Sequence, residues 1–281
     1  MLRRTAPVVV VATVLLGMGG CSSDSDSSGG EGPASLGHVH GVGVDPADGA
    51  LHIASHGGVF RVSDDGTLTL IADRRQDTMG FTVIGPGHFL GSGHPDPDED
   101  LPGSLGLLES TDGAETWDSL SLMGEADFHA LEGVGDRVYG YDSHSGSLMT
   151  TTDRVTWQTI SRQPVFDLAA DPAEPDTVYA TTGQGELVVS VDGAELEPVG
   201  GAPVLTSIDW QADGPLVGVG VDGTVMVSDD TRSWREVGRL GGPAVALEVV
   251  AGSWYAATQS GVHTSTDDGA TWSLLVPADH N

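Results

Sequence analysis

Residues 265–272 read Ser-Thr-Asp-Asp-Gly-Ala-Thr-Trp, and related segments recur along the chain. Segment 110–117 (STDGAETW) has the glycine one place earlier, and shorter copies are 151–157 (TTDRVTW) and 228–234 (SDDTRSW). Two further copies, SDDG and SVDG, lack the tryptophan. The repeated aspartates are 37–47 residues apart: Asp65, Asp112, Asp153, Asp192, Asp230 and Asp267. A segment repeated at near-constant spacing predicts an array of six similar supersecondary units.

Each copy follows three short apolar runs that are separated by turn residues. In the first unit these runs are residues 39–44, 51–54 and 59–62, and a fourth run, 67–71, comes after the aspartate turn. Four short strands per unit of about 38 residues are typical of a β-propeller blade. We therefore predict an all-β fold, a six-bladed propeller with Asp-box repeats over residues 36–281.

The S-x-D-x-G-x-T-W segments resemble the Asp-box, or BNR repeat, of sialidase-like propellers. The chain as a whole resembles bacterial lipoproteins of a glycosyl-hydrolase-like family. In such a box the aspartate accepts backbone N–H groups in the turn between the third and fourth strands. Glycine permits a positive φ there, and the tryptophan packs between blades. We expect a structural role for Asp112, Asp153 and Asp267.

The N-terminal residues resemble a lipoprotein signal. Arg3 and Arg4 precede an apolar stretch, residues 6–18, which is short for a membrane-spanning helix. Two glycines then precede Cys21, the single cysteine, as in a bacterial lipobox. We predict a signal peptide over residues 1–20, acylation of Cys21 and a flexible tether over residues 21–35. An ordinary secretory signal is the alternative. The predicted location is the extracytoplasmic face of the cell membrane.

The charge of the chain limits its partners. The formal net charge is −30, and all 11 basic residues are arginine. Nucleic acids and anionic lipid surfaces need a basic footprint, so the sequence excludes both as charge-driven partners. The remaining partners are a membrane reached through the lipid anchor and a small ligand, a glycan or a metal. We expect a monomer.

Propeller geometry predicts a cluster of histidines. First strands line the central channel, and the loops between second and third strands lie at the end where first strands begin, which we call the top. Six of the ten histidines map to the top of the first three blades. His38 and His40 are two residues apart on one strand, so their side chains face the same way. The predicted ligand-binding residues are His38, His40, His56, His94, His129 and His144.

Imidazole is the commonest transition-metal ligand, and a thioether adds a preference for Cu(I). One hypothesis is therefore a copper or zinc site formed by His38, His40, His129, Met79 and Met123. Two others remain open: a polar pocket for an organic ligand or partner, or a hydrogen-bonded plug with no site. A protein-interaction or assembly platform is a third option, since propellers often act in that way.

A glycoside hydrolase of the BNR type is the enzymatic alternative. Asp127, Asp142 and Asp167 would then supply the two carboxylates that this chemistry requires. Sialidase activity is disfavoured, because none of the nine arginines after residue 20 maps clearly to the start of a first strand. The acidic insertion 91–104 (GSGHPDPDEDLPGS) either ligates Ca²⁺ or forms a solvated lid.

Overall fold

The computed structural model describes residues 36–278, which form six four-stranded antiparallel sheets. The predicted signal, Cys21, the tether and His280 lie outside these residues. The strands of blades one to three are β1 to β12: Val39–Val44, Leu51–Ser55, Gly58–Val62 and Leu68–Leu70; Asp77–Gly85, His88–His94, Leu107–Ser110 and Asp118–Ser121; Phe128–Val134, Arg137–Asp142, Ser147–Thr151 and Gln158–Ser161.

Strands β13 to β24 form blades four to six in the same order. Their bounds are Val165–Ala170, Thr177–Thr182, Leu187–Val191 and Glu197–Pro198; Leu205–Trp210, Leu216–Gly220, Thr224–Ser228 and Arg235–Arg239; Ala246–Val250, Ser253–Thr258, Gly261–Ser265 and Ser273–Pro277. A short 3-10 helix, Ile71–Asp73, leads from blade one to blade two. No helix within residues 36–278 is both long and apolar enough to cross a membrane.

The six first strands contact one another in sequence, and β21 contacts β1, so the ring is closed. Each blade consists of four consecutive strands, paired in chain order from the channel to the rim. This confirms the predicted six-bladed propeller. The sequence predicted the strands well because each one is a short apolar run between turn residues.

Six hydrophobic clusters hold the ring together, one between each pair of neighbouring blades. The cluster between blades one and two contains Ala54 and Val59 with Phe81 and Phe89. The other five join the remaining neighbours, including blades six and one. Apolar area is therefore buried mainly between sheets, as in a β-sandwich repeated around an axis.

The aspartate turns have the geometry that their sequence predicts. Asp112 Oδ1 accepts the Thr116 N–H at 2.9 Å, and Asp267 Oδ1 accepts the Thr271 N–H at 2.8 Å. Gly269 has a φ of 79°, in the left-handed region where glycine is favoured. Each of four turn tryptophans packs on the cluster between its own blade and the preceding one: Trp117, Trp157, Trp234 and Trp272. These turns lie at the bottom of the ring and stabilise it.

Candidate metal centre

A β-bulge at the start of the first strand of blades one to five shapes the top of the channel. In blade one the register shifts between Val39 and Gly41, which leaves His40 unpaired in the ladder. The same register shift occurs in blades two to five. In blade six the equivalent position is that of Val245, whose N–H donates to the Ala257 carbonyl. Bulges re-aim side chains at the rims of sheets. The residues at the bulge position, in blade order, are His40, Met79, His129, Phe166, Thr206 and Val245.

Three histidines and one aspartate meet where blades one and two adjoin. The ring centroids of His40 and His56 are 4.6 Å apart, and that of His38 is 5.8 Å from His40 and 5.9 Å from His56. Asp77 Oδ1 lies 3.7 Å from His40 Nε2 and 3.9 Å from His56 Nε2. His40 Nε2, His56 Nε2 and one Asp77 carboxylate oxygen can therefore converge on one point.

Electrostatics keep the central imidazole of this group uncharged. Burial, together with the nearby His56 and His38, lowers the pKa of His40 to about 4. A neutral imidazole offers its lone pair without first losing a proton. His40 Nε2 and Asp77 Oδ1 are both buried, and neither has a hydrogen-bond partner within the described part of the chain.

A second polar group lies beside the first, between blades two and three. His129 Nε2 donates to Asp127 Oδ2 at 2.8 Å, and Ser143 Oγ donates to the same oxygen at 2.8 Å. The hydrogen bond to Asp127 raises the pKa of His129 although burial opposes the shift. His94 is 4.0 Å from Asp127 Oδ2, while its Nδ1 donates to the Gly103 carbonyl at 2.7 Å. The backbone carbonyl of Gly103, in the acidic insertion, thus holds the ring of His94 close to Asp127.

Three other predicted site residues have different surroundings. His144 is exposed, and its Nε2 lies 3.5 Å from Ser104 Oγ. Met79 occupies the bulge between those of His40 and His129. Met123 lies in the turn before β9, in the stretch where Gly124 packs near Pro102. The structure gives Met123 no place in either histidine group.

The three candidate catalytic carboxylates also differ. Asp142 accepts the backbone N–H groups of Asp127, His144 and Ser145, and also the Ser145 hydroxyl, so we assign it a structural role. Although burial acts to raise it, hydrogen bonds from His129 and Ser143 hold the pKa of Asp127 below its ordinary value. Burial raises the pKa of Asp167 to about 7, which makes it the one candidate suited to donate a proton near neutral pH.

Below the histidines, four carboxylates line a narrow channel cavity of about 90 Å³. Each accepts a backbone N–H from the first strand of the next blade; Asp167 accepts that of Ile208 at 3.0 Å, and Glu248 that of Val44 at 3.1 Å. Burial raises the pKa of Asp209 to about 7 and that of Glu248 to about 8, and it raises the pKa of Glu132 well above its ordinary range.

Sequence reasoning missed Asp77 and the channel carboxylates Glu132, Asp209 and Glu248. A signal for Asp77 is present: it stands two residues before a bulge residue, as His38 and Asp127 do. Aligning the first strands on their bulges would have found it. Glu132, Asp209 and Glu248 each lie three residues after the bulge position of their strand, inside apolar runs that read as ordinary core strands.

Comparisons with known proteins support the fold. No protein-family model and no curated protein sequence matches the chain. A putative gluconolactonase structure aligns with a TM-score of 0.64 at 14% identity, covering 87% of this chain and 91% of that one. A gluconolactonase from Xanthomonas campestris gives 0.63 at 16% identity, covering 79% and 83%. The WD40 β-propeller domain of Doa1 gives 0.57 at 13% identity, covering 83% and 80%. At these identities, the likeness establishes a β-propeller architecture for the chain.

Proposed function

We propose that this propeller binds a transition-metal ion, zinc or copper(II), at the top of its channel through His40, His56 and Asp77. The observation that carries the proposal is the convergence of three ligand atoms, one from each residue, within 4.8 Å of one another. Two of them, His40 Nε2 and Asp77 Oδ1, are buried without a hydrogen-bond partner in the described chain. Leaving a buried polar atom unsatisfied costs about 1–3 kcal/mol. A bound cation would satisfy both atoms at once.

The distances fit a small divalent ion after a slight contraction. Zinc bonds of about 2.0–2.2 Å in tetrahedral geometry place ligand atoms about 3.4 Å apart. The observed separations from Asp77 Oδ1 are 3.7 Å to His40 Nε2 and 3.9 Å to His56 Nε2. For these two separations, movements of a few tenths of an ångström are enough, and all three ligand atoms already lie within 4.8 Å of one another.

The donor types favour zinc and copper over calcium and magnesium. Imidazole suits Zn and Cu, whereas Ca²⁺ and Mg²⁺ take oxygen ligands. The ring of His38 lies beside these ligands, with its centroid 5.8 Å from that of His40 and 5.9 Å from that of His56. Three protein ligands with an open fourth position are typical of sites that bind a substrate or a water at the metal. Met79 lies in the neighbouring bulge, and coordination by its thioether would favour Cu(I) over zinc.

Glycoside hydrolysis fits the side chains less well. Asp167 has the raised pKa of a general acid. Asp142 is saturated with hydrogen bonds, and Asp127 is paired with His129. Glycoside hydrolysis needs two available carboxylates, and among these three candidates only Asp167 is available.

The same proposal places the propeller on the outer surface of the cell membrane, acylated at Cys21. The support is the sequence before residue 22 alone. Cells grown with radiolabelled palmitate should label the wild-type protein and leave Cys21→Ala unlabelled. Equal labelling of the two proteins would show that Cys21 is not the site of acylation.

Metal binding is tested by titrating the purified, chelator-treated protein with zinc and with copper(II) in a calorimeter. We expect one ion per chain, and His40→Ala and His56→Ala should each weaken binding by about tenfold or more, since even the loss of a residue that only orients a metal ligand costs about 10–100-fold. His263→Ala is the matched control, because this ring bonds to Ser260 and Thr258 in blade six. Unchanged affinity in both ligand variants would refute the site.

A further inference from the structure

A wide cavity lies beside the proposed metal centre. Its volume is about 700 Å³, within the range of 300–1,000 Å³ that is usual for small-molecule sites. On one side it is lined by His38, His40 and His129, and on the other by Phe166, Val221 and Val245. One concave surface thus joins the imidazoles of blades one and three to an apolar wall from blades four to six.

The apolar wall is unusual for a surface. Phe166 is 73% exposed, Val221 58% and Val245 49%, and Val204 at the same rim is 54% exposed. Phe166 and Val245 occupy the bulge position and are the counterparts of His40 and His129 in other blades. Two residues before this position, blades four to six have Pro164, Val204 and Pro243 where blades one to three have His38, Asp77 and Asp127. The mouth is therefore polar on one half and apolar on the other, and exposed apolar surface in a concavity indicates binding.

The polar half favours a negatively charged group. Burial raises the pKa of Asp167, which lines the cavity, to about 7, so this carboxyl is largely uncharged at pH values well below 7. A divalent ion held by two neutral imidazoles and one carboxylate has a net positive charge and an open coordination position.

We propose that this cavity binds an organic anion with an apolar body, such as an aryl or medium-chain alkyl carboxylate. The carboxylate head completes the coordination of the metal at His40 and His56, and the body lies against Phe166, Val221 and Val245. The inference rests on the proposed metal site and adds the chemical class of the ligand.

The test uses 2-naphthoate as a fluorescent probe, with zinc affinity measured first on the same samples. Zinc-loaded protein should bind the probe at least about tenfold more tightly than zinc-free protein. Uncharged 2-naphthamide, which lacks the anionic head, and acetate, which lacks the apolar body, should each bind about tenfold more weakly. Phe166→Ala should weaken naphthoate binding by about tenfold and leave zinc affinity unchanged. Val155→Ala, an equally exposed apolar residue in a bottom turn, is the control.

The outcomes separate this inference from the metal site. If zinc binds but naphthoate does not, or if naphthoate binds equally well to Phe166→Ala, the ligand class is wrong and the metal site stands. Equal naphthoate affinity with and without bound zinc also overturns the inference, because the head group would not reach the metal. If zinc itself does not bind, the proposed function fails and this inference fails with it.

Discussion

Replacing Phe89 by alanine is expected to lower the free energy of unfolding by about 3–5 kcal/mol, the usual cost of removing a fully buried phenylalanine. The Phe89 side chain is 0% exposed between blades one and two. Its ring centroid lies 5.5 Å from that of Phe81 and 4.9 Å from that of His52. The loss is large because rigid sheets on both sides cannot collapse into the cavity. Urea unfolding followed by tryptophan fluorescence measures the change.

The same substitution at Phe166 is the matched control. Because 73% of this side chain is exposed, Phe166→Ala should change the free energy of unfolding by no more than about 0.5 kcal/mol. If the two variants were equally destabilised, or if Phe89→Ala were neutral, the packing between blades described above would be wrong.

Replacing Asp209 by asparagine should stabilise the protein at pH 8 relative to its effect at pH 4. Burial raises the pKa of this carboxyl to about 7, so the folded protein binds its proton more tightly than the unfolded chain, in which an aspartate titrates near 4. Between these values the folded state holds more protons, and its stability falls as pH rises from about 4 to about 7. Asparagine is uncharged like the protonated carboxyl, and its oxygen can still accept the Val249 N–H. Its amide nitrogen cannot accept the Trp210 N–H, which Asp209 Oδ1 accepts at 2.7 Å, and this loss is the same at both pH values.

We expect Asp209→Asn to gain about 2 kcal/mol at pH 8 relative to pH 4. A shift of three pKa units corresponds to about 4 kcal/mol, and we take half because the side chain borders a cavity large enough for water. The change in melting temperature should then be more favourable at pH 8 by about 4–8 °C. Exposed Asp118→Asn is the control, and thermal unfolding at pH 4 and pH 8 is the measurement. A gain that is the same at both pH values would show that ionisation is not its cause.

Carboxylates in the aspartate turns have the opposite effect on stability, which they lower as the pH falls. Hydrogen bonds in these turns lower the pKa of Asp153 and of Asp230 to about 2. Their contribution is present above about pH 4 and is lost as pH falls toward 2. Together with the channel carboxylates, they place the greatest stability of the domain at mildly acidic pH.

The blades could be predicted from the sequence because their signals are local. An apolar run between turn residues forms the same strand in any blade, and the aspartate turn makes nearly all of its hydrogen bonds within five residues. The gathering of His38, His40, His56, His94 and His129 was also predictable, since blade topology alone brings the tops of first strands together.

The finer chemistry of the site depends on register, which the sequence pattern does not resolve. A one-residue bulge decides which side chain of β5 reaches the histidines, and without it Asp77 reads as part of a linker. Likewise, the bonds of Glu132, Asp167, Asp209 and Glu248 to the next blade depend on the stagger between first strands. These contacts join residues about 40 or more positions apart in the chain.

X-ray absorption at the zinc edge, on protein loaded with one equivalent of zinc, tests the central claim most directly. The account predicts a first shell of nitrogen and oxygen at about 2.0–2.1 Å, with the outer-shell scattering of at least two imidazole rings. That imidazole scattering should be lost in the double variant His40→Ala plus His56→Ala. A first shell of oxygen alone, as the channel carboxylates or the acidic insertion would provide, or a spectrum unchanged in the double variant, would contradict it.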